Sequence, residues 1–271
     1  MKIIGIPSAP ENSPNMSEKD SLLFNAIVEK LQAKGHAVKI TTKLDEENEK
    51  YDMIFHMSRT MHTLQQIAKY EKSGSTVINS VNSVQNCSRD KVVYILEKEG
   101  IRQPAYRFIE TPEETTTLSY PGWLKKAEGW SCHADDVIYT ANANEATEAL
   151  LQMKSRGVNK ALYCKHIEGD IIKFYGVAGN NFFRWHYPDP DKTKFGLERM
   201  NGAIQKHCFS EETLKNTAFA AAQAIGVEIF GGDCIVATTG EIYIIDLNDF
   251  PSFSAYREEA AESITALIEK R

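Results

Sequence analysis

The chain has 271 residues, 42% hydrophobic and 25% charged, with a formal net charge of −6. That length supports one large domain or two small ones with a proper core, and the acidic balance argues against nonspecific nucleic-acid binding, which depends on Lys and Arg neutralising phosphates. No stretch approaches a membrane span, residues 1–6 are too short an apolar run for a secretory signal, and five scattered cysteines without zinc-type pairing predict reduced thiols in a cytoplasmic protein.

From the N-terminus, residues 2–6 read as a short strand, followed by a polar, Pro-rich loop at 7–15. Leu22, Leu23, Ala26, Ile27 and Leu31 recur at helical spacing up to Gly35. Strands are predicted at 37–41, 51–57 and 76–79, with a helix over 64–70. This alternation predicts a small parallel sheet with helices on its faces, whose ligands gather at the carboxyl ends of the strands. The 7–15 loop and Met57-Ser58-Arg59-Thr60 lie at such ends and are candidate substrate contacts.

Ser88-Arg89-Asp90-Lys91 then opens a helix that stops at Gly100, with Ser88 as its N-cap. Lys91 in the first turn opposes the helix macrodipole, which makes it a candidate for facing a phosphate. A strand starting at 121 sends Lys125 and Lys126 to opposite faces. The small-residue loop Gly129-Trp130-Ser131-Cys132-His133 follows, and its backbone N–H groups suit closure over phosphates, with His133 a candidate ligand. A strand at 136–140 and a helix at 144–154 come next. Residues 161–167 and 171–178 read as a hairpin around Glu168-Gly169-Asp170. Lys173 lies mid-strand, a position that suits a charge facing a cleft. A strand at 181–186 carries Arg184, a polar loop spans 188–195, Ser210 caps a helix ending at Gly226, and a last helix covers 257–270.

Residues 228–253 carry the sharpest chemical pattern. Two apolar runs, 234–237 and 242–245, flank Thr238-Thr239-Gly240-Glu241 and predict a hairpin. Asp233 precedes the first strand, Asp246 ends the second, and Asn248 shares the face of Asp246. Pairing brings two carboxylates and an amide oxygen together as a hard-oxygen site for Mg²⁺ and phosphate.

In their order, these parts resemble the ATP-grasp superfamily over nearly the whole chain, although each motif is short. The resemblance implies an α/β plus α+β fold: a small N-terminal parallel α/β domain at 1–85, then a two-subdomain ATP-grasp module, 86–160 with the lid loop and 161–271 with the metal site. It implies that ATP is clamped between the subdomains and that its γ-phosphoryl group passes, usually, to a carboxylate. By position, Lys91 and Lys125 resemble the phosphate-contacting lysines, and Gly129, Ser131 and His133 the lid. Cys164, Lys165, His166 and Ile167 resemble the adenine hinge, and Glu168 or Asp170 would face the ribose. Asp233, Asp246 and Asn248 resemble the ligands of Mg²⁺, expected as two ions. Three departures stand out: Lys165 occupies a hinge position where many members have an acid, Asp246 stands where many have Glu, and the lid is poorer in glycine.

Two branches of the superfamily compete. The Ser-Arg-Asp-Lys and Lys-x-x-x-Gly spacings resemble ribosomal-protein glutamate ligases and glutathione-synthetase-like ligases. The runs beginning at Lys173, Arg184 and Asp246 resemble inositol trisphosphate kinases, with Ser252 where those have glycine. An inositol polyphosphate requires a strongly basic pocket, and the N-terminal half shows few clustered Lys or Arg. The resemblance therefore implies an ATP- and Mg²⁺-dependent carboxylate–amine ligase first, a small-molecule kinase of the inositol-phosphate type second, and a non-catalytic ATP-binding regulator third. Lys173 and Arg184 are the candidate catalytic residues, for offsetting charge and holding the γ-phosphoryl group or the acceptor. The expected partner is a small-molecule or peptide substrate, with neither nucleic acid nor membrane.

Overall fold

The computed structural model describes residues 1–10, 17–44, 50–189 and 200–271. The candidate loops at 7–15 and 188–195 lie in large part outside these residues. Strands β1 (Lys2–Ile6), β2 (Ala37–Ile40), β3 (Met53–His56) and β4 (Thr76–Ile78) form a parallel sheet in the order β2-β1-β3-β4. Strands β1 and β3 are apolar on both faces because both faces are covered. Ile3, Met53 and Phe55 pack with Phe24 and Ile27 of helix α1 (Ser17–Ala33) and with Ile264 of helix α7 (Arg257–Glu269). Ile4, Ile6 and Ile54 pack on the opposite side with Leu64 and Ile67 of helix α2 (Met61–Lys72) and Val84 of helix α3 (Val81–Asn86). The last helix of the chain thus completes the N-terminal domain.

Helix α4 (Arg89–Lys98) leads into an antiparallel sheet of β5 (Tyr106–Ile109), β6 (Gly122–Lys126), β7 (Val137–Thr140) and β8 (Ala161–Lys165), in the order β5-β8-β6-β7. Helix α5 (Ala143–Ser155) covers it through Ala149, Leu150 and Met153. A third sheet, also antiparallel, joins β9 (Gly169–Val177), β10 (Phe183–His186), β11 (Ile229–Ala237) and β12 (Ile242–Asp249), in the order β10-β9-β11-β12. Helix α6 (Glu211–Ile225) covers one face of it through Leu214, Ala218 and Ala222.

The hairpin expected over 161–178 does not form. Strand β8 pairs with β5 and β6, whereas β9 pairs with β10 and β11, so residues 166–168 cross from one sheet to the other. The glycine in Glu168-Gly169-Asp170 serves a close approach rather than a two-strand turn: a Cβ on Gly169 would lie 2.2 Å from the Val236 carbonyl oxygen. The second sheet consequently runs through Lys165, beyond the boundary expected at 160. Asn79 ties the N-terminal domain to the third sheet. Its Oδ1 accepts from Glu228 N at 2.8 Å and Ile229 N at 3.0 Å, and its Nδ2 donates to Ile229 O at 2.8 Å, so this buried amide is well satisfied. Among the described residues, no helix is long and apolar enough to cross a membrane.

Candidate active site

The face of the third sheet away from α6 forms one wall of a cleft of about 710 Å³, whose other walls come from the second sheet, the 129–131 loop and the N-terminal domain. Strand alternation sorts the residues. Ile172, Phe174, Cys234 and Ile244 turn to α6, which leaves Lys173, Tyr175 and Asp233 for the cleft. Register then builds a row across four strands: His186 on β10 pairs with Lys173 on β9, Lys173 with Asp233 on β11, and Asp233 with Asp246 on β12.

The strands of the hairpin are longer than the apolar runs that announced them. Asp233 lies inside β11, and Asp246 and Asn248 inside β12. Polar residues persist within these strands because only one face is buried. A bulge after Asp233 shifts the register by one residue. It coincides with the Ile245 carbonyl, which accepts from Lys125 Nζ at 3.2 Å across the cleft. Gly232 permits the tight β11–β12 packing: a Cβ there would lie 2.4 Å from Asp246 O and 2.5 Å from Phe174 Cζ. Gly232→Ala is expected to lower unfolding stability by about 1–3 kcal/mol through overpacking; a urea midpoint equal to that of the parent would contradict it.

Charges converge at the centre. Lys173 Nζ lies 3.0 Å from Asp233 Oδ1, Asn248 Nδ2 donates to Asp246 Oδ2 at 3.2 Å, and Arg89 Nη2 lies 3.8 Å from the same oxygen. Arg89 Nη1 donates to Ser131 Oγ at 2.7 Å, while its buried Nε has no hydrogen-bond partner among the described residues. Burial opposes ionisation of Asp246, but Arg89, Lys125 and the Asn248 amide outweigh it and hold the carboxyl below the usual range. It therefore stays an anion at neutral pH. Among the described residues no group of three or more His, Cys, Asp or Glu side chains could hold a metal. Two carboxylates and one amide suit Mg²⁺, which is commonly held by one or two protein carboxylates and completed by phosphates and water.

At one end the cleft is apolar, lined by Trp123, Val137, Ile171, Ile235 and Ile245 beside Cys164 and Lys165 at the end of β8 and the crossing residues His166 and Ile167. The N–H groups of Lys165 and His166 are already given to Ala105 O and Pro121 O. His166 Nδ1 lies 3.1 Å from Trp123 Nε1, and burial lowers the pKa of the ring against the opposing charge of Glu168. At the other end the N-terminal domain contributes Met57 and Arg59 from the predicted 57–60 segment, together with Ser8, Lys19 and Asp20. Arg59 Nε donates to Asp249 Oδ1 at 2.9 Å and Nη2 to Asp249 O at 2.8 Å, and the guanidinium lies 5.8 Å from the centre of the Trp130 ring.

The structure brings together Lys125, Gly129, Ser131, residues 164–167, Lys173, Asp233, Asp246 and Asn248 as cleft-lining residues. Five other candidates lie elsewhere. Lys91 is exposed, because two residues along a helix turn a side chain by about 200° and Arg89 is the one that faces the cleft. Arg184 shares the sheet face of the row but is exposed at the edge strand, where it pairs with Glu259. His133 is exposed and accepts from Asp135 N. Glu168 is exposed outside the cleft lining. Asp170 is buried and accepts from Gln205 N and His207 N, at 2.6 Å each, so it anchors the 205–207 backbone. Sequence reasoning missed Arg89, although it stands in the same four-residue motif as Lys91, and it missed Trp130, Asp249 and His186.

No protein-family model matches the chain. A probable alpha-L-glutamate ligase of Pseudoalteromonas translucida is 23% identical over 89% of this chain and 88% of that protein. An inositol-tetrakisphosphate 1-kinase of Xenopus laevis is 28% identical over 115 residues, 38% of this chain, and the match spans 28% of the kinase. Among solved structures, a RimK-domain ATP-grasp protein of Sphaerobacter thermophilus superposes with a TM-score of 0.69 at 16% identity, over 98% of this chain and 99% of that one.

Proposed function

The chain carries the ATP-grasp fold, and from that premise we propose that it is an ATP- and Mg²⁺-dependent carboxylate–amine ligase acting through an acyl phosphate. The observation that carries this reading is the convergence of Arg89, Lys125 and Lys173 on Asp233, Asp246 and Asn248 at the centre of one cleft. Phosphoryl transfer needs positioning and charge neutralisation above all, and this set supplies cations for the phosphates and oxygens for the ion. The buried Nε of Arg89, unpartnered among the described residues, supports an anionic ligand beside it.

In this reading the apolar end takes adenine between Trp123, Val137, Ile171 and Ile245. With the Lys165 and His166 N–H groups committed, the base meets the hinge through Ile167 N–H and the carbonyl oxygens. Asp233, Asp246 and Asn248 hold Mg²⁺, two ions in the reading kept from the sequence. When bound, the ions neutralise phosphate charge and orient the oxygens of the transferring group. Arg89, bonded to Ser131, holds the 129–131 loop against the phosphates. Lys125 and Lys173 offset the charge left after metal binding. The acceptor enters from the side of Arg59 and Lys19, and the loop and N-terminal domain exclude the water that would hydrolyse an acyl phosphate. The three sheets are the units of this mechanism: an acceptor-side domain, a lid-bearing sheet and a metal-bearing sheet.

Ligation is favoured over kinase chemistry by the extent of the relatives' matches, 89% of the chain for the ligase against 38% for the kinase. Charge agrees: among the described residues of the acceptor end, Lys19 and Arg59 line the cleft together with Asp20, and Arg59 is already paired with Asp249, which does not suit a polyphosphate. The test is ADP release with Mg-ATP and pools of carboxylates, amines and phosphorylated polyols. Release that needs both an acid and an amine supports the ligase. Release with a phosphorylated polyol alone supports the kinase. Binding without release under any pool would leave a nucleotide-binding regulator. A non-hydrolysable ATP analogue with Mg²⁺ at about a hundred times its Kd is expected to stabilise the fold by about 2.7 kcal/mol in thermal unfolding, and no shift at saturating analogue would remove the nucleotide from this reading.

A further inference from the structure

We propose that His186 is the catalytic base, taking the proton that the attacking amine must lose. The proposal rests on the ligase reading and adds a residue that the nucleotide and metal chemistry leaves unused. His186 ends the row His186–Lys173–Asp233–Asp246 and lines the cleft on the side of Lys173 away from the proposed metal ligands. Its ring stacks on Tyr175, 5.8 Å between centroids at 18°, and lies 5.8 Å from the Tyr256 ring, so it is held in one plane. Among the described residues its buried Nδ1 has no hydrogen-bond partner. A half-buried imidazole packed against two tyrosines in the cleft, with that nitrogen unmatched among the described residues, is not accounted for by a structural hydrogen bond at Nδ1.

The groups packed against it keep it neutral. Burial and the charge of Lys173 both push its pKa down. Tyr175 cannot offset this, because burial pushes its own pKa up to about 12. Tyr256 is the remaining titratable neighbour among its ring contacts. Burial and Lys173 together favour the uncharged ring, the form of imidazole that can accept a proton.

The step balances. The amine nitrogen forms a bond to the acyl carbon, and the carbon–oxygen bond to phosphate breaks, so that inorganic phosphate leaves with the electron pair. The nitrogen gives up one proton to the neutral imidazole, and the imidazolium returns it to water once the product leaves. Asp246 and Asp233 are poor alternatives, since both are engaged with cations.

The test compares the parent with His186→Gln, using L-glutamate and D-alanine as trial carboxylates and either an alkylamine or hydroxylamine as the nucleophile. Hydroxylamine is a weak base whose adduct sheds its proton to water unaided. The variant is expected to lose at least about 10²-fold in kcat with the alkylamine, in the range general bases contribute, to stay within about threefold with hydroxylamine, and to regain amine turnover with added imidazole. Equal loss with both nucleophiles, or no loss with the amine, overturns the proposal. A parent that forms no hydroxamate counts against the ligase reading instead. His186 is then judged on the intact protein by imidazole NMR with Mg²⁺ and a non-hydrolysable ATP analogue. Titration of the His186 ring below its ordinary value of 6.5 supports the proposal, and a ring still protonated at pH 8 overturns it.

Discussion

Replacing Asp246 with Asn is expected to abolish ADP release, by about 10³-fold or more, while leaving the fold intact. The carboxylate is the charge on which Arg89, Lys125 and the Asn248 amide converge, and loss of several kcal/mol of charge stabilisation at a metal site translates at tenfold per 1.36 kcal/mol. The fold survives because each neighbour keeps another partner: Arg89 keeps Ser131 Oγ, and Lys125 keeps the Ile245 carbonyl. The pH dependence has a definite sign. A carboxyl held below its ordinary value of 3.8 contributes stability that is present above that value and is lost only as pH falls through the lower folded value. The stability gap between parent and Asp246→Asn should therefore stay constant from pH 8 to pH 5 and close only in strong acid. Unchanged ADP release in the variant would sink the metal assignment, and a gap that closes above pH 5 would sink the electrostatic account of Asp246.

Much of this arrangement is legible in the sequence because it depends on local periodicity. The apolar runs of β1 and β3, the Ser210 cap of α6, and the pairing of Asp233 with Asp246 follow from patterns of two and of three to four residues. Asp233, Asp246 and Asn248 are read as neighbours, and the structure places them so although the strand ends are misjudged, since alternation holds inside the strands as well as at their ends. What fails is anything that depends on rotation about a helix or on which sheet a strand joins. Lys91 and Arg89 differ by two residues, and only the packing of α4 decides which turns to the cleft. Three residues separate the end of strand β8 from Gly169, a spacing that suits a hairpin as well as a crossing, and only the competing edges of β5 and β6 decide it. Asp170 and Arg184 carry the right chemistry for a site, but one is used to hold the 205–207 backbone and the other to reach α7 through Glu259. Asp249 is hidden for a different reason. Its partner Arg59 lies 190 residues earlier, and no local pattern joins them.

That long-range pair gives the second large effect. Asp249 is 1% exposed and alternates with Asn248, so one residue of β12 faces the cleft and the next is bound to the N-terminal domain through Arg59. Arg59→Met is expected to cost about 3 kcal/mol or more, because it leaves an uncompensated buried carboxylate, whereas replacing a whole buried pair with apolar groups is often neutral. The double variant Arg59→Met with Asp249→Leu should accordingly recover most of the stability lost in the single one, a coupling that a double-mutant cycle in urea measures directly. Turnover should not recover with it. Arg59 also lies over Trp130, whose indole nitrogen is buried without a partner among the described residues and whose ring packs against the core of the N-terminal domain. The pair therefore joins the N-terminal domain, the 129–131 loop and strand β12. A double variant that is stable yet still impaired in ADP release would assign this linkage to catalysis. Full recovery of both stability and release would reduce it to a structural clamp, and a single variant as stable as the parent would show that the Arg59–Asp249 pair does not hold the fold together.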